Sequence, residues 1–228
     1  MTVASPVRIS FVSDVACPWC AVGLNALELA LARIGDAVSV ELRFEPFELN
    51  PQMVPEGEDA AAHLAGKYGL TPAQLADNRE RIRERGAEVG FAFGAARSRV
   101  WNTFDAHRLL HWAGTVDLAR QRALKHALLV AYHGRDENPG ARAVLLRAAV
   151  EAGLDATLAA GVIDSGAHAD DVRERERHWQ RLGIHGVPAT ILDDRHLISG
   201  GQPVEVFERA LRQVAADRGG AGLGGSSG

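Results

Sequence analysis

Cysteine is nearly absent from this 228-residue chain, which holds only Cys17 and Cys20. A disulfide framework is thereby excluded, and a chain of this size buries roughly 70–75% of its extended surface without one. No apolar run approaches the ~20 residues of a membrane-spanning helix. Charge of one sign is also lacking: 25 Lys and Arg against 29 Asp and Glu give a formal charge of −4. With no long basic run, nucleic-acid binding has little electrostatic support. Met1 to Pro6 lacks the charged, apolar and cleavage regions of a secretion signal. The expected location is therefore the cytoplasm, where thiols are kept reduced. The chain is 46% hydrophobic and 24% charged, a soluble globular balance that excludes a disordered or fibrous chain.

The pattern of the chain gives its organisation. Val7–Ser13 alternates apolar and polar residues as a strand does, and Val38–Phe44 alternates strictly. Between them, Leu24, Leu27, Leu31 and Ile34 form an amphipathic helical stripe that Gly35 ends. From about Glu58 to Gly183 the pattern is helical almost throughout. Thr71-Pro72 opens a helix to about Val89, Asn102 or Thr103 caps the next, and others fit 118–132, 139–152, 155–163 and 168–182. Arg173–Arg177 alternates charge as a solvated helix face does. Strands return at Ala189–Leu192 and His196–Ile198 around a turn at Asp193-Asp194-Arg195, and Val204, Phe207, Leu211 and Val214 mark a last helix. The expected domains are 1–57 plus 184–218, interrupted by a helical insertion at 58–183, with 219–228 as a Gly/Ser-rich disordered tail.

The two cysteines form one Cys-x-x-Cys, Cys17-Pro18-Trp19-Cys20, just where the first helix begins. A helix N-terminus offers free amide N–H groups and a partial positive charge, which favour a thiolate. Each unit of pKa lowering requires about 1.4 kcal/mol of such stabilisation. Pro18 suits the first helical turn, where its missing N–H is not needed. Cys17 is the expected nucleophile, and Cys20, one turn further in, the resolving thiol. Half of a zinc site is the competing reading, but no second cysteine pair completes it, so no metal centre is expected.

Ser13–Cys20, the helical insertion, Gly183-Ile184-His185-Gly186-Val187-Pro188-Ala189-Thr190 and Ser199-Gly200-Gly201-Gln202-Pro203 together resemble the DsbA-type thioredoxin superfamily, within it the FrnE-like dithiol-disulfide oxidoreductases or isomerases. The resemblance spans about residues 7–217. It implies an α/β thioredoxin fold with a large all-helical insertion, and a cis Val187–Pro188 bond beside the cysteines, where Val187 pairs with an extended substrate as an added strand does. On its residues alone, Gly186-Val187-Pro188 reads as a strand-entry turn.

Further candidates each carry a plainer alternative. Asp14 is a helix cap or loop residue before it is a proton carrier, since a carboxylate would raise the Cys17 pKa. Trp19 either stacks on substrate or covers the Cys20 sulfur; bringing no positive charge, it implies a less oxidising disulfide than the histidine of secreted DsbA-type motifs. His185 is a candidate neighbour of the thiolate, or an exposed loop histidine. His107 and His111 lack the glutamate of metalloprotease motifs and read as core or surface residues. Asn102 resembles a cleft residue of the superfamily and equally a helix cap. Ser199, Gly200, Gly201 and Gln202 offer backbone N–H groups to a glutathione-like carboxylate, or are a strand-to-helix turn.

The function that follows is thiol–disulfide exchange on a protein or small-molecule disulfide. No tightly bound cofactor is needed, and glutathione is a candidate co-substrate. Membrane and nucleic-acid partners are not expected. Two rivals stand beside it. One is a glutathione-dependent transferase or isomerase of the kappa-class or hydroxychromene-carboxylate isomerase type, whose members typically carry serine at the first motif position. The other is a peptide-docking module with silent cysteines, in which Cys17→Ser would leave function intact.

Overall fold

The computed structural model describes residues 5–221. A four-stranded sheet in the order β2-β1-β5-β6 is assembled from the two ends of the chain. Strand β1 (Val7–Ser13) pairs parallel with β2 (Val40–Pro46) through Val7↔Val40 to Ser13↔Pro46. On its other side β1 pairs antiparallel with β5 (Ala189–Leu192), which turns through Asp193 and Asp194, both at positive φ, into β6 (His196–Ser199). The second strand starts two residues later than its alternation predicts, because Gly35–Ala37 form a turn of 3₁₀ helix after the first helix.

Successive residues of β1 point to opposite faces, so the sheet has two apolar sides. Phe11 faces α1 (Pro18–Ile34) and α9 (Val204–Ala221), packing with Leu24, Leu27, Phe207 and Leu211. Val12 faces the other way, toward Trp179, Ile184 and Ile191. The last helix carries on through Ala221, so 219–221 are helical rather than tail; the rest of the expected tail, 222–228, lies outside the described residues.

Between the sheet halves run α2 (Ala60–Tyr68), α3 (Pro72–Glu88), α4 (Phe104–Val116), α5 (Leu118–Leu129), α6 (Arg142–Glu151), α7 (Ala156–Ser165) and α8 (Ala169–Arg181). Thr71 caps α3 in a full capping box with Gln74, as its Thr-Pro start predicts. Two features depart from the purely helical pattern. Glu58–Asp59 (β3) and Arg99–Val100 (β4) form a small antiparallel ladder, and α5 runs into a π-helical turn at Val130–Gly134. The charged run of α8 also differs from expectation. Glu174 pairs with Arg177 and Arg181 in solvent, but Arg175 reaches Glu45 of β2 at 2.8 Å and Arg173 pairs with the buried Glu48. That face docks the helix as well as solvating it.

The insertion helices are joined to the sheet at its outer edge. Gln121 of α5 is buried; its side-chain oxygen accepts from Phe44 N–H at 3.2 Å and its amide donates to the Phe44 and Leu110 carbonyls. A side chain thus closes the open edge of β2 where another strand would otherwise pair. Replacing Gln121 with Leu strands the Phe44 N–H and C=O without partners. We expect a loss on the order of 3 kcal/mol in urea unfolding; a loss indistinguishable from zero would refute this account of the edge.

Candidate active site

The site begins with the loop between β1 and α1. Cys17 occupies the N-cap position with extended backbone (φ −88°, ψ 115°) and makes no side-chain cap bond, while Pro18 opens the helix. The Cys17 sulfur is therefore at the helix mouth, 5% exposed, and as a thiol donates to the Val187 carbonyl at 3.6 Å. Cys20 is one turn further and wholly buried; both thiols are free. Their acidities separate. A hydrogen bond from the Cys20 thiol, helped by the Cys20 and Trp19 backbone N–H groups, holds Cys17 below the ordinary thiol value against the opposing effects of burial and the Asp14 charge. Burial, and then the hydrogen bond and charge of Cys17, push Cys20 well above it.

Asp14 is not the helix cap. Its buried carboxylate accepts from Ala16 N–H at 3.0 Å, Leu49 N–H at 2.7 Å and the Thr103 hydroxyl at 2.8 Å, and faces His107 Nε2 at 3.4 Å. Burial alone would raise its pKa; the His107 bond and charge with the two backbone donors outweigh burial and hold it low. Asn102 precedes Thr103, the N-cap of α4; its oxygen accepts from Phe104 N–H, the first of the helix, while its amide donates to the Met53 carbonyl.

The Val187–Pro188 peptide bond is cis. Pro188 is buried, and its carbonyl accepts from Gly200 N–H at 2.7 Å. Gly201 sits so close that a Cβ there would lie 3.0 Å from the Trp19 carbonyl. Ser199–Gln202 thus packs behind the helix mouth. With Gly200 N–H already engaged and Gln202 bonded to the Ser199 carbonyl, none of the four lines the cavity described below. His185 is exposed and likewise outside that lining.

Cys17, Pro18, Trp19 and Val187 line a cavity of about 380 Å³. Leu64, Tyr68, Leu75 and Ile82 of α2 and α3 supply its apolar wall. Arg97 also lines the cavity, and its three hydrogen bonds go to neutral acceptors, the Tyr132 hydroxyl twice and the Ala16 carbonyl. Beside it His133, in the π turn, is bonded to the Val15 carbonyl at 2.9 Å; burial, with the Arg97 charge, lowers its pKa to about 3 and keeps it neutral.

Sequence reasoning missed this second layer: Arg97, Tyr132, His133 and the buried Lys125, whose amine burial makes less basic against the opposing charges of Cys20 and Asp14. One signal was present for Lys125. Gln121, Leu124, Lys125, Leu128 and Tyr132 fall on one helical stripe, so a lysine occupies a core position.

A thioredoxin-type sheet carrying a dithiol at a helix N-terminus beside a cis-proline defines a class, and sequence comparison places the chain within it. The profile of the DSBA-like thioredoxin domain matches residues 8–212, so the chain belongs to that family. A Streptomyces coelicolor protein described as a probable DsbA oxidoreductase is 35% identical, with TM-score 0.84 over 92% of this chain and 90% of that one. A 2-hydroxychromene-2-carboxylate isomerase shares the fold at 18% identity, TM-score 0.69, over 96% of this chain and 100% of that one. The cytosolic disulfide reductase DsbM from Pseudomonas aeruginosa, solved with GSH, does so at 21% identity, TM-score 0.63, over 92% and 99%.

Asp14→Asn tests the carboxylate. Because Asp14 is held below its unfolded value near ~3.9, its stabilisation is present above that pH and is lost as pH falls through the lower folded value. The variant should lose on the order of 2 kcal/mol at neutral pH, show a shallower acid limb, and have a more acidic Cys17 because a repelling charge is gone. Urea unfolding against pH and alkylation rate against pH measure these effects. An unchanged Cys17 profile would remove Asp14 from the electrostatics of the site.

Proposed function

We propose that this chain is a cytoplasmic thiol–disulfide oxidoreductase or isomerase of the FrnE-like type. One observation carries the reading: two free thiols share a helix N-terminus, with the exposed-side sulfur made acidic and the inner one kept protonated. The Cys17 thiolate attacks a substrate disulfide, forming the mixed disulfide and releasing the first substrate thiolate. Cys20, once deprotonated, attacks the Cys17 sulfur, releases the second substrate thiolate and leaves the Cys17–Cys20 disulfide. Val187 presents backbone to the substrate chain beside Cys17, as an edge strand does. A cytosolic disulfide reductase among the structural neighbours supports the compartment, and its solution with GSH supports glutathione as the electron partner. No helix among the described residues is long and apolar enough to cross a membrane.

The cavity beside Cys17 favours a second reading, glutathione-dependent chemistry on a small molecule, since 380 Å³ falls in the range of ligand pockets. Neutral acceptors around Arg97 leave its charge available to an anionic group.

Equilibration in glutathione buffers distinguishes the two. Exchange predicts one reversible two-electron couple, lost in both Cys17→Ser and Cys20→Ser, with the Cys20→Ser variant trapping a mixed disulfide on Cys17. Alkylation of reduced wild-type Cys17 should titrate below the free-thiol value of ~8.5, and Cys20→Ala, which leaves no side-chain donor to the thiolate, should move it upward. A stable glutathione adduct on wild-type Cys17 with no reversible couple would transfer the assignment to the small-molecule reading.

A further inference from the structure

Away from the dithiol, three side chains with metal-binding atoms converge where α4 faces the start of α8. His111 comes from α4; His168 is the N-cap of α8 and Asp171 lies in its first turn. His168 Nδ1 is 2.8 Å from Asp171 Oδ2, and His111 Nε2 is 3.8 Å from the same oxygen. The three donor atoms all lie within 4.8 Å of one another, and the two imidazole rings are tilted at 41° to each other with centroids 5.4 Å apart.

Zinc holds nitrogen and oxygen donors at about 2.0–2.1 Å, so donors on a tetrahedron are about 3.4 Å apart. The observed 2.8 and 3.8 Å separations bracket that edge. Asp171, at 56% side-chain exposure, has the most freedom to adjust. His168 also holds a left-handed backbone, φ +63°, that glycine would adopt without strain. A histidine kept at that position places an imidazole opposite His111.

We propose that His111, His168 and Asp171 form a binding site for a divalent first-row transition ion of the zinc class, with water in the fourth position. Two imidazoles and one carboxylate suit zinc and its neighbours rather than magnesium or calcium, which take oxygen donors. Glu45 of β2 and Arg175 of α8 also bear on His111, and they pair with each other at 2.8 Å. A bound ion would clip α4 to α8, the helix whose Arg173 and Arg175 grip the β2 end of the sheet.

The dithiol can itself bind zinc, so the test uses the untagged full chain with Cys17→Ser and Cys20→Ser as background. Calorimetric titration with Zn²⁺ should give one ion per chain and a raised thermal midpoint. Co²⁺ should give tetrahedral visible absorption without a thiolate band. His168→Asn keeps a residue that tolerates the left-handed backbone but removes the imidazole. It and His111→Gln should each weaken Zn²⁺ binding roughly tenfold or more. The metal-free His168→Asn protein should match the background in circular dichroism and thermal midpoint, which separates ligand loss from misfolding. No binding up to ~1 mM Zn²⁺, where affinity is only about 4 kcal/mol, would overturn the proposal. So would a His168→Asn protein that binds as the background does.

Discussion

A single buried carboxylate holds the reactive end of this molecule together. Asp14 accepts from the loop that precedes α1, from the segment that follows β2, and from Thr103 at the start of α4. A charge taken out of water without such partners would cost several kcal/mol, so the three segments are held where their donors meet. The surroundings confirm how central the position is. Val15 and Ala16, neighbours of Asp14, pack with the insertion helices, whereas Cys17 and Cys20 belong to the core under the sheet. The site loop crosses from one apolar cluster to the other, and Asp14 lies at the crossing.

That placement opposes the chemistry it supports. A negative charge near Cys17 disfavours its thiolate, and so does burial of the sulfur. What tips the balance is local: a thiol one helical turn away donates to the thiolate, and two backbone N–H groups at the helix start add to it. Cys20 meets burial with weaker compensation, from the Lys125 charge and the Asp14 backbone, while the hydrogen bond and charge of the Cys17 thiolate make a second negative charge harder still. Lys125 is buried nearby and its positive charge favours Cys20 ionisation, the step that must precede resolution of a mixed disulfide. The difference between the thiols is therefore a matter of which sulfur receives the hydrogen bond and which gives it.

Local signals in the sequence carried the parts of the structure that local physics decides. The alternation of Val7–Ser13, the Thr71-Pro72 start and the turn at Asp193-Asp194 all appear where their residues place them. The site was legible only in its first layer, Cys17, Cys20 and Val187, because a short motif and a family resemblance mark them. Asp14 looked like a cap because it precedes a helix; beside the Ala16 N–H, two of its donors are 35 and 89 residues away, beyond any pattern read along the chain. Ser199–Gln202 read equally as an anion-binding helix start and as a strand-to-helix turn; Gly200 N–H is engaged by the Pro188 carbonyl, a contact that only the folded sheet creates. Gln121 and Lys125 stood out in principle as polar residues on an apolar stripe. What each would satisfy, a strand edge in one case and a buried thiol pair in the other, depended on the docking of α5.

Reactivity and selectivity are consequently built from different parts of the chain. The acidity of Cys17 is set within α1 and the loop before it, by groups at most a turn away and by Asp14. The cavity above the sulfur is walled largely by α2, α3 and the segment around Phe93 and Arg97. Hydrogen bonds link the two parts at few points, chiefly Arg97 to the Ala16 carbonyl and His133 to the Val15 carbonyl. Both bonds are made by wall side chains to backbone oxygens, so apart from Arg97 and His133 the wall can change its side chains without breaking either of these bonds. Side chains such as Leu75 and Ile82 lie far along the chain from the cysteines and touch the cavity rather than the loop. Changes there alter what fits against Cys17 while the dithiol keeps its helix start, its internal hydrogen bond and its buried partner.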